Sequence, residues 1–185
     1  MAVIYTVTLN PAIDHTMRIP RLAPGRLNRA SNSRADLGGK GVNVSRALRQ
    51  FGVETVMMGF AAGMFGRILL EGLRRLDYDC RRCGKATDFV EVVGETRANV
   101  TVIDEATGAM TKLNEPGPTV TEDDLRALEE RLLARLSEGD ICVFSGSLPP
   151  GAPPTTYAQL INVAHSKGAM AVLDTSGEAL AAGCA

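Results

Sequence analysis

Residues 3–9 form a short run rich in β-forming side chains, closed by the turn Asn10-Pro11, and predict a buried first strand. Across 42–51 apolar positions recur at helical spacing and stop at Gly52, after which 54–60 reads as a second buried strand. Residues 64–76 follow as a helix with Ile68, Leu69, Leu73 and Leu76 on its inner face. Thr121 heads an amphipathic helix reaching about Leu136, and Asp124, three residues on, is a near match to a capping box. A strand over 141–144, a helix over 155–167 ended by Gly168, and a strand over 169–173 complete the series. This alternation predicts an α/β fold, a parallel sheet covered by helices.

Two regions break the rhythm. Residues 15–36 are polar, arginine-rich and without helical period. Residues 89–114 contain Arg97-Ala-Asn-Val-Thr-Val-Ile, which alternates its faces, and Asp104-Glu-Ala-Thr-Gly108, which supplies a hairpin turn. Together they predict a small antiparallel sheet inserted into the core. It is either a lid over a ligand site or an edge extension of the main sheet.

Composition narrows the classes. With 185 residues and 45% hydrophobic content, the chain is long enough for one sizeable domain with a real core. A formal net charge of -1 argues against a nucleic-acid binder or a membrane-surface protein, and no long apolar run marks a leader or a span, so a cytoplasmic protein is expected. The charges are uneven, however. From Arg18 to Arg49 there are eight Lys and Arg residues and one acid, Asp36. Cys80, Cys83, Cys142 and Cys184 are too few and scattered for a disulfide scaffold. The Cys80-Arg-Arg-Cys83 spacing suits zinc, but lacks a second pair, so reduced thiols are expected.

Within the cationic stretch lies Leu37-Gly-Gly-Lys-Gly-Val-Asn43, where Gly38, Gly39 and Gly41 bare the backbone ahead of a helix whose free N–H groups and dipole favour an anion. The same pattern also serves as a plain helix start. Loops after the parallel strands are the other places to inspect: Asn10-Pro-Ala-Ile-Asp14, Ser145-Gly-Ser-Leu-Pro-Pro-Gly151 and Asp174-Thr-Ser-Gly177. Asp14 can accept hydrogen bonds from sugar hydroxyls or cap its own turn. Lys40, Arg29 and Arg97 could hold a phosphate, and Arg97 and Asn99 share a strand face. No Walker A pattern, dinucleotide fingerprint, nucleophile elbow or zinc helix is present.

These motifs, together with Glu95-Thr-Arg97-Ala-Asn99, Asn114-Glu-Pro-Gly-Pro118 and Leu173-Asp-Thr-Ser-Gly-Glu-Ala-Leu180, resemble in order the ribokinase-like (PfkB) carbohydrate kinases. The resemblance implies a ribokinase-like α/β sheet with a β lid, and transfer of the ATP γ-phosphoryl group to a ketohexose phosphate. Fructose 1-phosphate leads, with tagatose 6-phosphate or fructose 6-phosphate as alternatives. By that resemblance Asp14, Gly38, Gly39 and Asn43 line the sugar site, Lys40, Arg29 and Arg97 neutralise the substrate phosphate, and Asn99 and Ser145 are further substrate-binding candidates. It also implies magnesium as cofactor beside ATP, and a homodimer formed through the lid strands.

One departure is large. The family's catalytic aspartate lies in a Gly-Ala-Gly-Asp motif, and Gly-Ala occurs here only at Gly108, Gly151 and Gly168, never followed by Gly-Asp. The chain is therefore expected to be the N-terminal portion, 1–185, of one such domain. It would carry no catalytic residue, bind ATP and magnesium poorly, and be inactive alone. A noncatalytic sugar-phosphate-binding or interaction module is the competing expectation.

Overall fold

In a computed structural model, which describes residues 2–75 and 86–185, nine strands and five helices alternate as the apolar pattern requires. The Cys80–Cys83 motif lies outside the described residues. Strands β1 (Ile4–Thr8), β4 (Thr55–Ala62), β5 (Thr87–Val92), β8 (Ile141–Ser145) and β9 (Met170–Asp174) form one parallel sheet in the order β5-β4-β1-β8-β9. Every residue of β4 is buried, and its period-two alternation serves both faces. Val56, Met58 and Phe60 join the cluster that holds Leu128 and Leu132 of α3 (Glu122–Arg135) and Leu160 of α4 (Thr156–Ser166). Met57 and Ala61 face the other way, toward Val42 of α1 (Lys40–Gln50) and Leu69 and Leu73 of α2 (Gly63–Arg75). Thr121 completes the expected capping box with Asp124. A final short helix, α5 (Gly177–Gly183), was not expected from the pattern.

The second sheet has the order β3-β2-β6-β7, built from β2 (Ala12–Ile19), β3 (Asn32–Gly38), β6 (Arg97–Asp104) and β7 (Met110–Asn114). It differs from expectation twice. Residues 89–92 belong to β5 in the main sheet, because Phe89 and Val90 are buried in its core, so this part of the small sheet starts at Arg97. The sheet is also mixed: β2–β3 and β6–β7 are antiparallel, but β2 and β6 are parallel. The reason is topological. β1 and β5 leave the carboxyl edge of the main sheet in the same direction, and β2 and β6 are their continuations.

Among the described residues, no helix is long and apolar enough to cross a membrane. Cys142 is buried in β8, and burial, with Asp140 nearby, pushes its thiol up to about 12, which leaves it protonated and inert at neutral pH.

Candidate functional site

Register alone arranges the polar face of the second sheet into rows. Asp14 pairs with Asp36 on β3 and Asn99 on β6, and Asn99 pairs with Asn114 on β7. Two residues further along β2, Thr16 pairs with Arg34 and Thr101, and Thr101 pairs with Lys112. Directly paired residues share a face, as do residues two apart in a strand, so all eight side chains project to one side. They line a cleft of about 430 Å³ whose remaining wall is Leu37 with Asn43 and Arg46 of α1. Asn43 and Arg46 are three apart, hence on one face of that helix.

The glycine turn sets the floor. A Cβ on Gly38 would lie 2.3 Å from an Asp14 carboxylate oxygen, so only glycine lets that carboxylate lie against the backbone. Asn99 Nδ2 donates to Asp14 Oδ1 at 3.0 Å, which fixes the acid through one of its two oxygens. α1 starts from Gly39 with no side-chain cap and no acid in its first turn, so its first N–H groups keep their positive end uncompensated. Buried polar atoms without a protein partner, among the described residues, are Thr8 Oγ1, Asn10 Oδ1, Arg97 Nε and Asn99 Oδ1. All belong to the junction where β1 turns into β2 beside the start of β6, and such atoms call for a hydrogen-bonding ligand or solvent.

A second polar group stands where α1 begins. Lys40 Nζ lies 3.3 Å from Asp174 at the end of β9, and Ser145 at the end of β8 donates its hydroxyl to Asp174 Oδ2 at 2.9 Å. The bond from Ser145, then that from Lys40, holds the Asp174 carboxyl below its ordinary value. Its folded pKa is depressed, so this contribution is present at pH above the ordinary aspartate value and is lost as pH falls through the depressed one. Replacing Ser145 by alanine is expected to move the Asp174 pKa back up, as read by carboxyl carbon NMR titration; an unmoved curve would refute the assigned cause. The Lys40 and Asp174 side chains are 58% and 57% exposed, so the pair is weak and an incoming anion can displace it.

The expected phosphate cations each meet a different environment. Arg97 is half-buried and donates to the Asn10 carbonyl at 2.9 Å; burial lowers its pKa and Asp14 works against that shift. Lys40 is engaged with Asp174, and Arg29 is exposed in the 20–31 connection, outside the cleft. Of the other candidates, Asp14, Asn43 and Asn99 are brought together, with Gly38 against the Asp14 carboxylate and Gly39 against Thr8 and Pro11, while Ser145 shares Asp174 with Lys40. Sequence reasoning missed Arg34, Asp36, Arg46, Lys112 and Asn114 as cleft residues. The period-two pattern of 14–16 and 99–101 was available, but the register that adds β3 and β7 was not.

A larger groove of about 740 Å³ lies between α3 and α4, against Leu125, Glu129, Gln159 and Val163. It sits among helices, away from the carboxyl ends of the strands where ligands of parallel sheets bind. Among the described residues no group of three or more His, Cys, Asp or Glu could hold a metal ion.

A family model described as pfkB family carbohydrate kinase matches residues 7–184. Over 177 residues the chain is 40% identical to a 1-phosphofructokinase of Bacillus subtilis, covering 96% of this chain and 55% of that protein. A tagatose-6-phosphate kinase of Staphylococcus epidermidis is 33% identical over 177 residues, covering 96% and 54%. The crystal structure of phosphofructokinase-2 from Escherichia coli in complex with fructose-6-phosphate superposes with a TM-score of 0.88 at 35% identity, covering 98% of this chain and 57% of that one. The chain thus spans about half the length of the proteins it matches.

Proposed function

The chain belongs to the pfkB family of carbohydrate kinases, and from that premise we propose that it carries the sugar-phosphate half of a kinase site. The intact protein would move the γ-phosphoryl group of ATP, with magnesium, onto a hydroxyl of a ketohexose phosphate. Fructose 1-phosphate, giving fructose 1,6-bisphosphate, is the favoured substrate; tagatose 6-phosphate and fructose 6-phosphate are the alternatives. The observation that carries this reading is the Asp14 row over Gly38. A carboxylate fixed by Asn99, paired across β3 with Asp36 and sharing its cleft with Asn114 and Asn43, offers acceptors and amide donors together, and carbohydrate hydroxyls need both.

Roles follow from position. Asp14, Asn43 and Asn99, with Gly38 and Gly39, hold hydroxyls. Lys40 and Arg97 supply positive charge at the inner end, and Ser145 orders Asp174 beside Lys40. The acceptor hydroxyl then points to the crevice between β1 and β8, where the strand order reverses and the nucleotide would arrive. Phosphoryl transfer asks mainly for positioning and charge compensation, which these residues suit.

The opposite face of the second sheet is read as the homodimer surface. It carries Met17, Val100 and Val102, half-buried, and Leu113, 60% exposed. Sedimentation of the chain and of Leu113→Lys checks this. A noncatalytic sugar-phosphate-binding module in the cytoplasm is the second reading. The substrate class is tested by calorimetric titration of the chain with fructose 1-phosphate, tagatose 6-phosphate, fructose 6-phosphate and adenosine. A phosphorylated ketohexose is expected to bind most tightly, and preference for uncharged adenosine would refute the class.

A further inference from the structure

Asn10 and the Glu115-Pro116-Gly117 segment lie outside the cleft, yet they join its walls. Four stretches of described chain connect the two sheets: β1 to β2, β3 to α1, β5 to β6 and β7 to α3. All four meet at Asn10-Pro11. The Asn10 carbonyl accepts from Arg97 Nη2, at the head of β6, at 2.9 Å. Its side-chain Nδ2 donates to the Pro116 carbonyl, just past β7, at 2.9 Å. A Cβ on Gly39, the residue before α1, would lie 3.3 Å from Pro11 Cα. Asn10 is only 4% exposed, so solvent does not replace these bonds when one is lost.

The contacts close a ring. From Asn10 it passes to Pro116 and back one residue to Glu115, whose carboxylate accepts from the Ala98 N–H at 2.8 Å; Ala98 adjoins Arg97, which returns to the Asn10 carbonyl. Two cleft residues are immediate neighbours of that ring. Asn99 follows Ala98, Asn114 precedes Glu115, and the two pair across β6 and β7. Asn99 in turn donates to Asp14. The ring therefore sets where both amides stand against the carboxylate, and Asn10, which follows β1, ties it to the parallel sheet. Gly117 makes the fit close: its φ is 91°, and a Cβ there would lie 2.2 Å from Asn10 Oδ1. We propose that Asn10 is a positioning residue: by clamping the exit of β7 and the head of β6 to the end of β1, it aligns Asn99 and Asn114 with Asp14 for a polyhydroxylated ligand that it does not itself touch. This rests on the reading of the Asp14 cleft as the sugar site.

The test uses the isotope-labelled 185-residue chain and the variants Asn10→Ala, Asn10→Asp, Gly117→Ala, Asn10→Ala combined with Gly117→Ala, and Asp14→Ala. Fructose 1-phosphate affinity is read by calorimetry, stability by urea unfolding, and the Asn99 side-chain amide of the ligand-free chain by NMR. Asn10→Asp keeps the shape of the side chain but replaces the donor facing the Pro116 carbonyl with an acceptor. Asn10→Ala and Asn10→Asp are each expected to fold, to bind fructose 1-phosphate roughly tenfold more weakly through the loss of one buried hydrogen bond, and to shift the Asn99 amide resonances. Gly117→Ala should do the same from the other side. It should cost less affinity in the Asn10→Ala background, where its Cβ no longer meets Oδ1. A lower urea midpoint with parental affinity and unmoved Asn99 resonances would make Asn10 a structural residue and overturn the proposal, as would additive losses in the double variant. Parental affinity in Asp14→Ala would instead refute the sugar-site reading, and the Asn99 resonances would still decide whether Asn10 positions that amide.

Discussion

Incubated with ATP, magnesium and fructose 1-phosphate, the purified 185-residue polypeptide is expected to form fructose 1,6-bisphosphate at least about four orders of magnitude more slowly than an intact homologue. The magnitude combines two missing contributions. A positioned base is worth about 10² to 10⁴, and donors aimed at developing charge about 10² to 10³ each. The described residues place Asp14, Asn43 and Asn99 on the acceptor side, and no Gly-Ala-Gly-Asp segment exists to supply an aspartate and helix N-terminus on the donor side. Turnover comparable to an intact homologue in a coupled assay would mean that some other group in this chain does that work. Activity that appears only when a second polypeptide carrying that motif is added would support the division of the site.

The largest expected effect on stability is from Gly59→Ala. Gly59 pairs with Thr8 in the β1–β4 ladder at a φ of 151°, and a Cβ there would lie 1.9 Å from the Thr8 carbonyl oxygen and 2.8 Å from its carbon. The obstacle is backbone of the neighbouring strand, so no rotamer change removes it. Strain and overpacking of roughly 1 to 3 kcal/mol each give a cost on the order of 3 to 5 kcal/mol. That is a large share of the total stability of about 5 to 15 kcal/mol typical of a domain. Thr8 is also where β1 ends before Asn10 and Asp14, so the site should be lost with the fold. Urea unfolding followed by far-ultraviolet circular dichroism reads the loss; a midpoint near the parent's would show that the two strands can separate at this point.

The main sheet was legible because its strands are short runs bounded by turns and its helices keep a strict apolar stripe. The extents of β4, α1, α3, β8 and α4 fall within a few residues of their predicted ranges. The small sheet was harder. Its existence followed from alternation at 97–103, but the parallel pairing of β2 with β6 joins residues 85 apart, such as Asp14 and Asn99, and periodicity carries no information about such register. For the same reason periodicity does not tell the sheet of Phe89 and Val90, since a buried run reads alike in either. α5, at seven residues, is too short to show a helical period.

At the candidate site, chemical type was readable and partnership was not. Asp14, Asn43 and Asn99 stand together as their residue types suggest. Lys40, Arg29 and Arg97 share a charge, and each meets a different environment: an exposed carboxylate, solvent, and a buried carbonyl. Arg46 and Lys112 line the same cleft through rows that cross four strands, which spacing along the chain does not show.

The central claim is that this cleft receives the phosphosugar, and it is tested most directly by a two-dimensional amide NMR titration of the isotope-labelled chain with fructose 1-phosphate. Shifts concentrated at Asp14, Gly38, Gly39, Asn43 and Asn99, continuing outward to Thr101 and Lys112, are the expected result. Shifts confined to the groove between α3 and α4, or no saturable shifts at all, would contradict it.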